Sequence, residues 1–212
     1  MIIATIGESA VDDAIYRVFI DALLGTPSQP PPLKSFRRRS GDPFAGKFLG
    51  SILAECHYHT GAIGVVIIVD GNGSPIHQEL STSEHCASKC RVCEGRSKTR
   101  EVVSSFRSRL AAPLRVALGV AYPPIENWLL FGRSKGYSES EWSRKLHTNP
   151  GSSPNHVKEL KEALDMRFKV EADRIRDGVN HAQKVIEDLD AFEAAFPMGF
   201  GLMAAEIRKW KT

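Results

Sequence analysis

The run from Ile63 to Val69 constrains this chain more than any other segment. Apart from Gly64 it is an unbroken β-branched stretch with no polar face to offer to water. Such a stretch fits a strand covered on both sides, as in a parallel sheet sandwiched between helices. It stops at Asp70-Gly71-Asn72-Gly73, a run of turn-forming residues. Two shorter apolar runs, Ile2 to Ile6 and about Leu114 to Val120, predict further strands before and after it. Helical spacing fills the gaps. Val11, Ile15, Val18, Phe19, Ala22 and Leu23 share one face of a first helix, with Ser9 and Asp12 as its capping pair. Phe44, Phe48, Leu49, Ile52, Leu53 and Cys56 define a second helix, and Val103, Phe106 and Leu110 a third. Strands alternating with helices in this order require crossover connections, which join parallel neighbours. The predicted fold class is α/β, a parallel sheet flanked by helices.

Pro124 to Phe131 predicts a short helix, with Pro in the first turn and Glu126 near the positive end of its dipole. A polar loop is expected from Gly132 to Pro154. From Val157 onward Leu160, Leu164, Phe168, Ala172, Ile175, Val179, Ala182, Val185, Ile186 and Leu189 recur at helical spacing, with a break expected between Asp165 and Phe168. A last helix from Met198 to Trp210 would dock through Phe192, Phe196, Phe200 and Trp210. A chain of 212 residues can build one core with an appendage. The expected division is an α/β domain over 1–135 and a helical C-terminal part over 154–212 packed on it. With 42% hydrophobic and 25% charged residues, the composition is that of a globular protein and excludes general disorder. No stretch approaches the roughly 18 apolar residues of a membrane span, and Met1 to Ile6 has neither the basic start nor the length of a signal, so a cytoplasmic location is expected. The net charge of +3 neither demands nor excludes a nucleic-acid partner.

In open parallel sheets ligands bind outside the carboxyl ends of the strands. Glu8 follows the first strand by two residues, Asp70 ends the second, and Glu126 lies just past the third. Three carboxylates converging there would repel one another unless a cation lay between them, and Mg²⁺ is held by a few carboxylates, water and substrate phosphates. Taken singly, each has an ordinary explanation, Asp70 as a turn cap and the two glutamates as helix N-terminal charges.

The order Ile6-Gly7-Glu8-Ser9, then Val65 to Val69 with Asp70-Gly71-Asn72-Gly73, then Ala121-Tyr122-Pro123-Pro124-Ile125-Glu126-Asn127-Trp128-Leu129-Leu130-Phe131, resembles the Toprim fold of topoisomerases, primases and OLD-type nucleases. It is most similar to small stand-alone Toprim proteins, and the resemblance extends to the helical run near Val157 and to the turn Phe196 to Phe200. It implies a Mg²⁺- or Mn²⁺-dependent nuclease with Glu8, Asp70 and Glu126 as catalytic residues, in which Glu8 acts as general base or acid and can also bind the metal, and Asp70 holds the metal with help from Asn72, Glu8 and Glu126. In the family an Asp-x-Asp pair binds Mg²⁺; here Asn72 replaces the second aspartate and brings no charge. Proteins of this kind act beside a separate ABC-type ATPase in antiviral defence, which implies such a partner and a DNA or RNA substrate. The alternative is a catalytically weakened Toprim subunit acting as a regulatory or binding module in such a complex. An unrelated doubly wound protein binding a small phosphorylated ligand ranks lower, because no Gly-rich phosphate loop is present.

Cys86, Cys90 and Cys93 crowd into one polar segment. With His77 or His85 as fourth ligand they could complete a tetrahedral zinc site. Reduced cysteines in a helix-forming loop are the preferred reading. Their spacing also matches the iron–sulfur loop of radical enzymes that use S-adenosylmethionine, a reading rejected on length and context. The basic loop Lys34 to Arg39 follows a proline stretch and could contact phosphates, although a solvated loop is the simpler account. Trp128 is assigned to the core, and His147 and His156 receive no role.

Overall fold

The computed structural model describes residues 1–32, 42–44, 47–71, 73–78, 86, 90–107, 113–122, 124–134, 136–148, 153–165 and 170–211. Asn72, His85 and the basic loop from Lys34 to Arg39 lie outside them, as do Leu110 and Phe168.

Three strands, β1 (Ile3–Ile6), β2 (Gly64–Asp70) and β3 (Arg115–Ala121), form a parallel sheet in the order β1-β2-β3. The run expected to be covered on both faces is the central strand: Ile3 pairs with Gly64 on one side, and Gly64 with Arg115 on the other. From Val65 to Val69 every side chain of β2 is fully buried. Alternation splits them, with Val66 and Ile68 entering one core and Val65, Ile67 and Val69 the other.

The first core lies under α1 (Ala10–Leu24), α4 (Ile125–Phe131), α7 (Glu171–Ile186), α8 (Leu189–Ala195) and α9 (Leu202–Arg208). Its centre is aromatic. Trp128 is fully buried and meets Phe192, Phe196 and Phe200 edge-on or tilted, while Phe19 stacks on Phe192 at 5.5 Å. The second core lies under α2 (Phe48–His59), α3 (Arg91–Ser104) and α5 (Glu139–Thr148). A further helix, α6 (Ser153–Leu164), packs against α4, and the break expected after it falls where Asp165 takes a left-handed φ of 51°.

Three expectations shift. The segment Gly132 to Pro154 is not all loop, because α5 occupies its middle. Helix α3 starts at Arg91 and ends at Ser104, well before Leu110. Its first turns are polar and are joined by the Arg91–Glu94 and Lys98–Glu94 ion pairs, each 2.8 Å. The last helix is compound: a π-helical turn over Pro197–Gly201, then α9, then a 3₁₀ turn over Lys209–Lys211. No helix among the described residues is long and apolar enough to cross a membrane.

Candidate functional site

Parallel strands bring their carboxyl ends to one edge of the sheet, and Glu8, Asp70 and Glu126 all follow such an end. Glu8 sits between β1 and α1, where the chain turns sharply. Ser9 caps α1 by accepting from the Asp12 N–H at 3.2 Å and donates its own hydroxyl to Asp12 Oδ2 at 2.7 Å. The turn needs a residue without Cβ at Gly7, since one would come within 2.7 Å of the Tyr16 ring and 3.0 Å of Asp12 Cβ. Asp70 ends β2 and reaches across to α4, whose first N–H, from Ile125, donates to Asp70 Oδ1 at 3.0 Å. Asp70 thus supplies the side-chain cap that Pro124 cannot. Glu126 follows in that first turn. Its carboxylate accepts from its own backbone N–H, and Oε2 is buried without a hydrogen-bond partner among the described residues.

The electrostatics tie these groups together. Burial, followed by the charges of Glu126 and Glu8, pushes the Asp70 carboxyl well above the usual range. Burial also raises Glu8, and Asp12 and Asp42 add to it, while the Asp70 backbone N–H and Arg91 oppose it. Glu126 is raised by burial, with Lys161 and Arg174 opposing and Asp12 adding. The phenol of Tyr16, fully buried beneath, is pushed up by burial and then by the negative charges of Asp12, Asp70, Glu8 and Glu126. Asp12 and Tyr16 are members of this region that the sequence reading missed. Asp12 had been read only as a helix cap, and Tyr16 sits among apolar residues of α1.

The thiol cluster is more compact. Among the described residues, His77, Cys86, Cys90 and Cys93 form a compact group whose ligand atoms could together hold a metal ion. All four atoms lie within 4.8 Å of one another. His77 Nδ1 is 3.3 Å from Cys86 Sγ, 3.5 Å from Cys90 Sγ and 3.6 Å from Cys93 Sγ, and the Cys86 and Cys93 sulfurs are 3.0 Å apart. His77, one of the two histidines left open as fourth ligand, is placed in the cluster, and His85 lies outside the described residues. The sequence leaned towards independent thiols, whereas the geometry favours the metal-binding alternative. Burial pushes the Cys90 thiol up to about 12, whereas Cys86 is held below the usual thiol range, since hydrogen bonds from Cys90 and Cys93 outweigh its own burial. No disulfide joins these cysteines.

A third buried polar feature was not foreseen. Glu139, at the start of α5, is 3% exposed and accepts from the Met198 N–H at 2.9 Å and the Gly199 N–H at 2.5 Å, inside the π-helical turn. Burial pushes its carboxyl up to about 7, against the pull of those two donors. A cleft of about 670 Å³ opens beside it, lined by Pro75, Ile76, His147 and Met198 among others. None of Glu8, Asp70 and Glu126 lines that cleft. His156, assigned no role, lies 3.1 Å from Glu159 and meets the Trp142 ring of α5 edge-on at 6.1 Å.

No protein-family model, no curated protein and no solved structure matches the chain.

Proposed function

We propose that the chain is a metal-dependent phosphodiester-handling enzyme of the Toprim kind, a nuclease acting at the carboxyl end of the sheet. The observation that supports this reading is the crowding of Glu8, Asp70 and Glu126 there, with every one of the three carboxyls raised. Burying mutually repelling carboxylates costs stability, and a divalent cation removes that cost. The residues fit Mg²⁺ or Mn²⁺ in one further respect: Glu126 Oε2 is a buried oxygen with no hydrogen-bond donor among the described residues.

In this reading Asp70 and Glu126 hold the ion, with Asn72, two residues further along the sequence, as an additional ligand. When bound, the ion supplies charge neutralisation at the scissile phosphate and lowers the pKa of water. Glu8, whose carboxyl burial holds above its ordinary range, takes the proton from the attacking water or returns one to the leaving oxygen. A nucleic-acid substrate and a separate ABC-type ATPase belong to the same proposal and rest on the family resemblance alone.

The alternative, a weakened Toprim subunit that regulates or binds, has its own support. Asp70 spends one oxygen on capping α4, and the carboxylates do not close to a tight ligand group among the described residues. A cleavage assay on DNA and RNA with Mg²⁺ or Mn²⁺ separates the two, using wild type, Asp70→Ala, Glu8→Gln and Asn72→Asp. The enzyme reading expects activity lost in the first two variants and kept or increased in the last, where a second carboxylate tightens the ion. Inert wild type and inert Asn72→Asp on every substrate and metal would leave the regulatory reading.

A further inference from the structure

We infer that His77, Cys86, Cys90 and Cys93 bind one Zn²⁺ as a closed structural site that pins the start of α3. The inference does not depend on the carboxylate reading. Zinc bonds of about 2.3 Å to sulfur and about 2.0–2.1 Å to nitrogen, set tetrahedrally, place nitrogen about 3.5 Å and sulfurs about 3.8 Å apart. The three nitrogen–sulfur distances of 3.3, 3.5 and 3.6 Å already match such an edge. The Cys86–Cys93 edge, 3.0 Å, is shorter than a zinc site's and lengthens on ion entry. Three sulfurs and one imidazole are a zinc donor set, softer than Mg²⁺ accepts. With four protein ligands no position remains for water or substrate, so the site is structural. His77 and Cys90 are buried, with Cys86 and Cys93 partly so. Ligation through Nδ1 leaves the ring proton on Nε2, so Arg96, now 3.3 Å from Nε2, turns away, as its exposed position permits.

The consequence for the fold lies one residue beyond Cys90. The Arg91 N–H, at the start of α3, donates to Ser74 Oγ at 3.0 Å, so the connection that carries His77 also caps the helix. Arg91 pairs with Asp42 at 2.8 Å and lies over the Phe44 ring at 5.0 Å. The same guanidinium is one of the charges felt by Glu8. An ion joining His77 to Cys90 and Cys93 therefore holds both sides of this junction together.

The test is metal analysis of the purified protein by mass spectrometry, combined with thermal melting. The expected result is one zinc per chain, lost in His77→Ala and in Cys90→Ser. Chelation of wild type under reducing conditions should lower the melting temperature, and Zn²⁺, not Mg²⁺, should restore it. The wild-type cycle needs no variant to fold. Zinc-free wild type whose melting is unmoved by added Zn²⁺ would overturn the inference. So would a Cys86–Cys93 disulfide found by thiol counting, or iron and labile sulfide in place of zinc. Nuclease activity enters none of these readouts, so failure here and failure of the carboxylate reading remain distinguishable.

Discussion

Asp70 does two things that pull against each other. Its Oδ1 caps α4 through the Ile125 N–H, which stabilises the fold, while its charge is buried beside Glu126 and Glu8, which destabilises it. Asn keeps an acceptor oxygen for Ile125 and removes the charge. The sign of the pH effect follows from linkage: a carboxyl raised on folding contributes stability that is fully present below its unfolded pKa and is lost as pH rises through the folded value. Asp70→Asn should therefore melt higher than wild type at pH 8, with the gain shrinking to nothing near pH 4. Each kcal/mol recovered corresponds to about 2–4 °C for a chain of this size. Melting curves across that range in chelator-treated protein check it, and a gain independent of pH would show that charge is not its source. Gly199 is a simpler case. A Cβ there would run into the Val120 carbonyl oxygen, so Gly199→Ala should destabilise by about 1–3 kcal/mol or more, as overpacking does.

Helix α5 and the π-helical turn are joined by one carboxylate. Removing it in Glu139→Ala leaves the buried Gly199 N–H without its acceptor, at about 1–3 kcal/mol, and the part-buried Met198 N–H beside the cleft at less. Because burial raises the Glu139 pKa to about 7, the stability it contributes is greatest below the ordinary glutamate range and declines as pH rises through about 7. Denaturant unfolding at pH 5 and pH 8 should show that decline in wild type, after correction for the carboxylates near Asp70, and lose it in Glu139→Ala. This helix was invisible to periodicity because its apolar residues are few: Trp142 enters the second core and Leu146 only packs against it. Its anchoring residue is a charged one, which no hydrophobic pattern reports. The early start of α3 was hidden for a related reason. Its first three turns are held by ion pairs, by Val92 and by Gly95, where a Cβ would press on Leu118 and Phe44. The strands, by contrast, were legible to within a residue or two, since a run such as Val65 to Val69 has no other way to hide from water.

At the scale of the molecule, strand order alone located Glu8, Asp70 and Glu126 at one edge of the sheet, whereas the placement of His77 beside Cys86, Cys90 and Cys93 depends on a chain path that spacing does not encode. For the expected organisation into 1–135 and 154–212, the packing argues for a specific result. Helix α7 lies along α1, and Gly178 meets Ile15 so closely that a Cβ would come within 2.7 Å. Gly64 of the central strand lies under Trp210, and Gly119 of β3 under Met203. Phe19 and Trp128, from the α/β part, are buried against Phe192 and Phe200. A chain ending at residue 165 would expose that whole face, and burying each large aromatic or aliphatic side chain is worth about 1.5–3 kcal/mol. Total stabilities are only about 5–15 kcal/mol, so the loss of a handful of such contacts exceeds what the fold can spare. The fragment 1–165 is therefore expected to lack cooperative thermal unfolding and to be degraded rapidly by dilute protease. Circular dichroism and limited proteolysis on matched samples of fragment and full chain decide the point. A fragment that melts cooperatively and resists protease would mean that the C-terminal helices are an accessory layer over an independent α/β core.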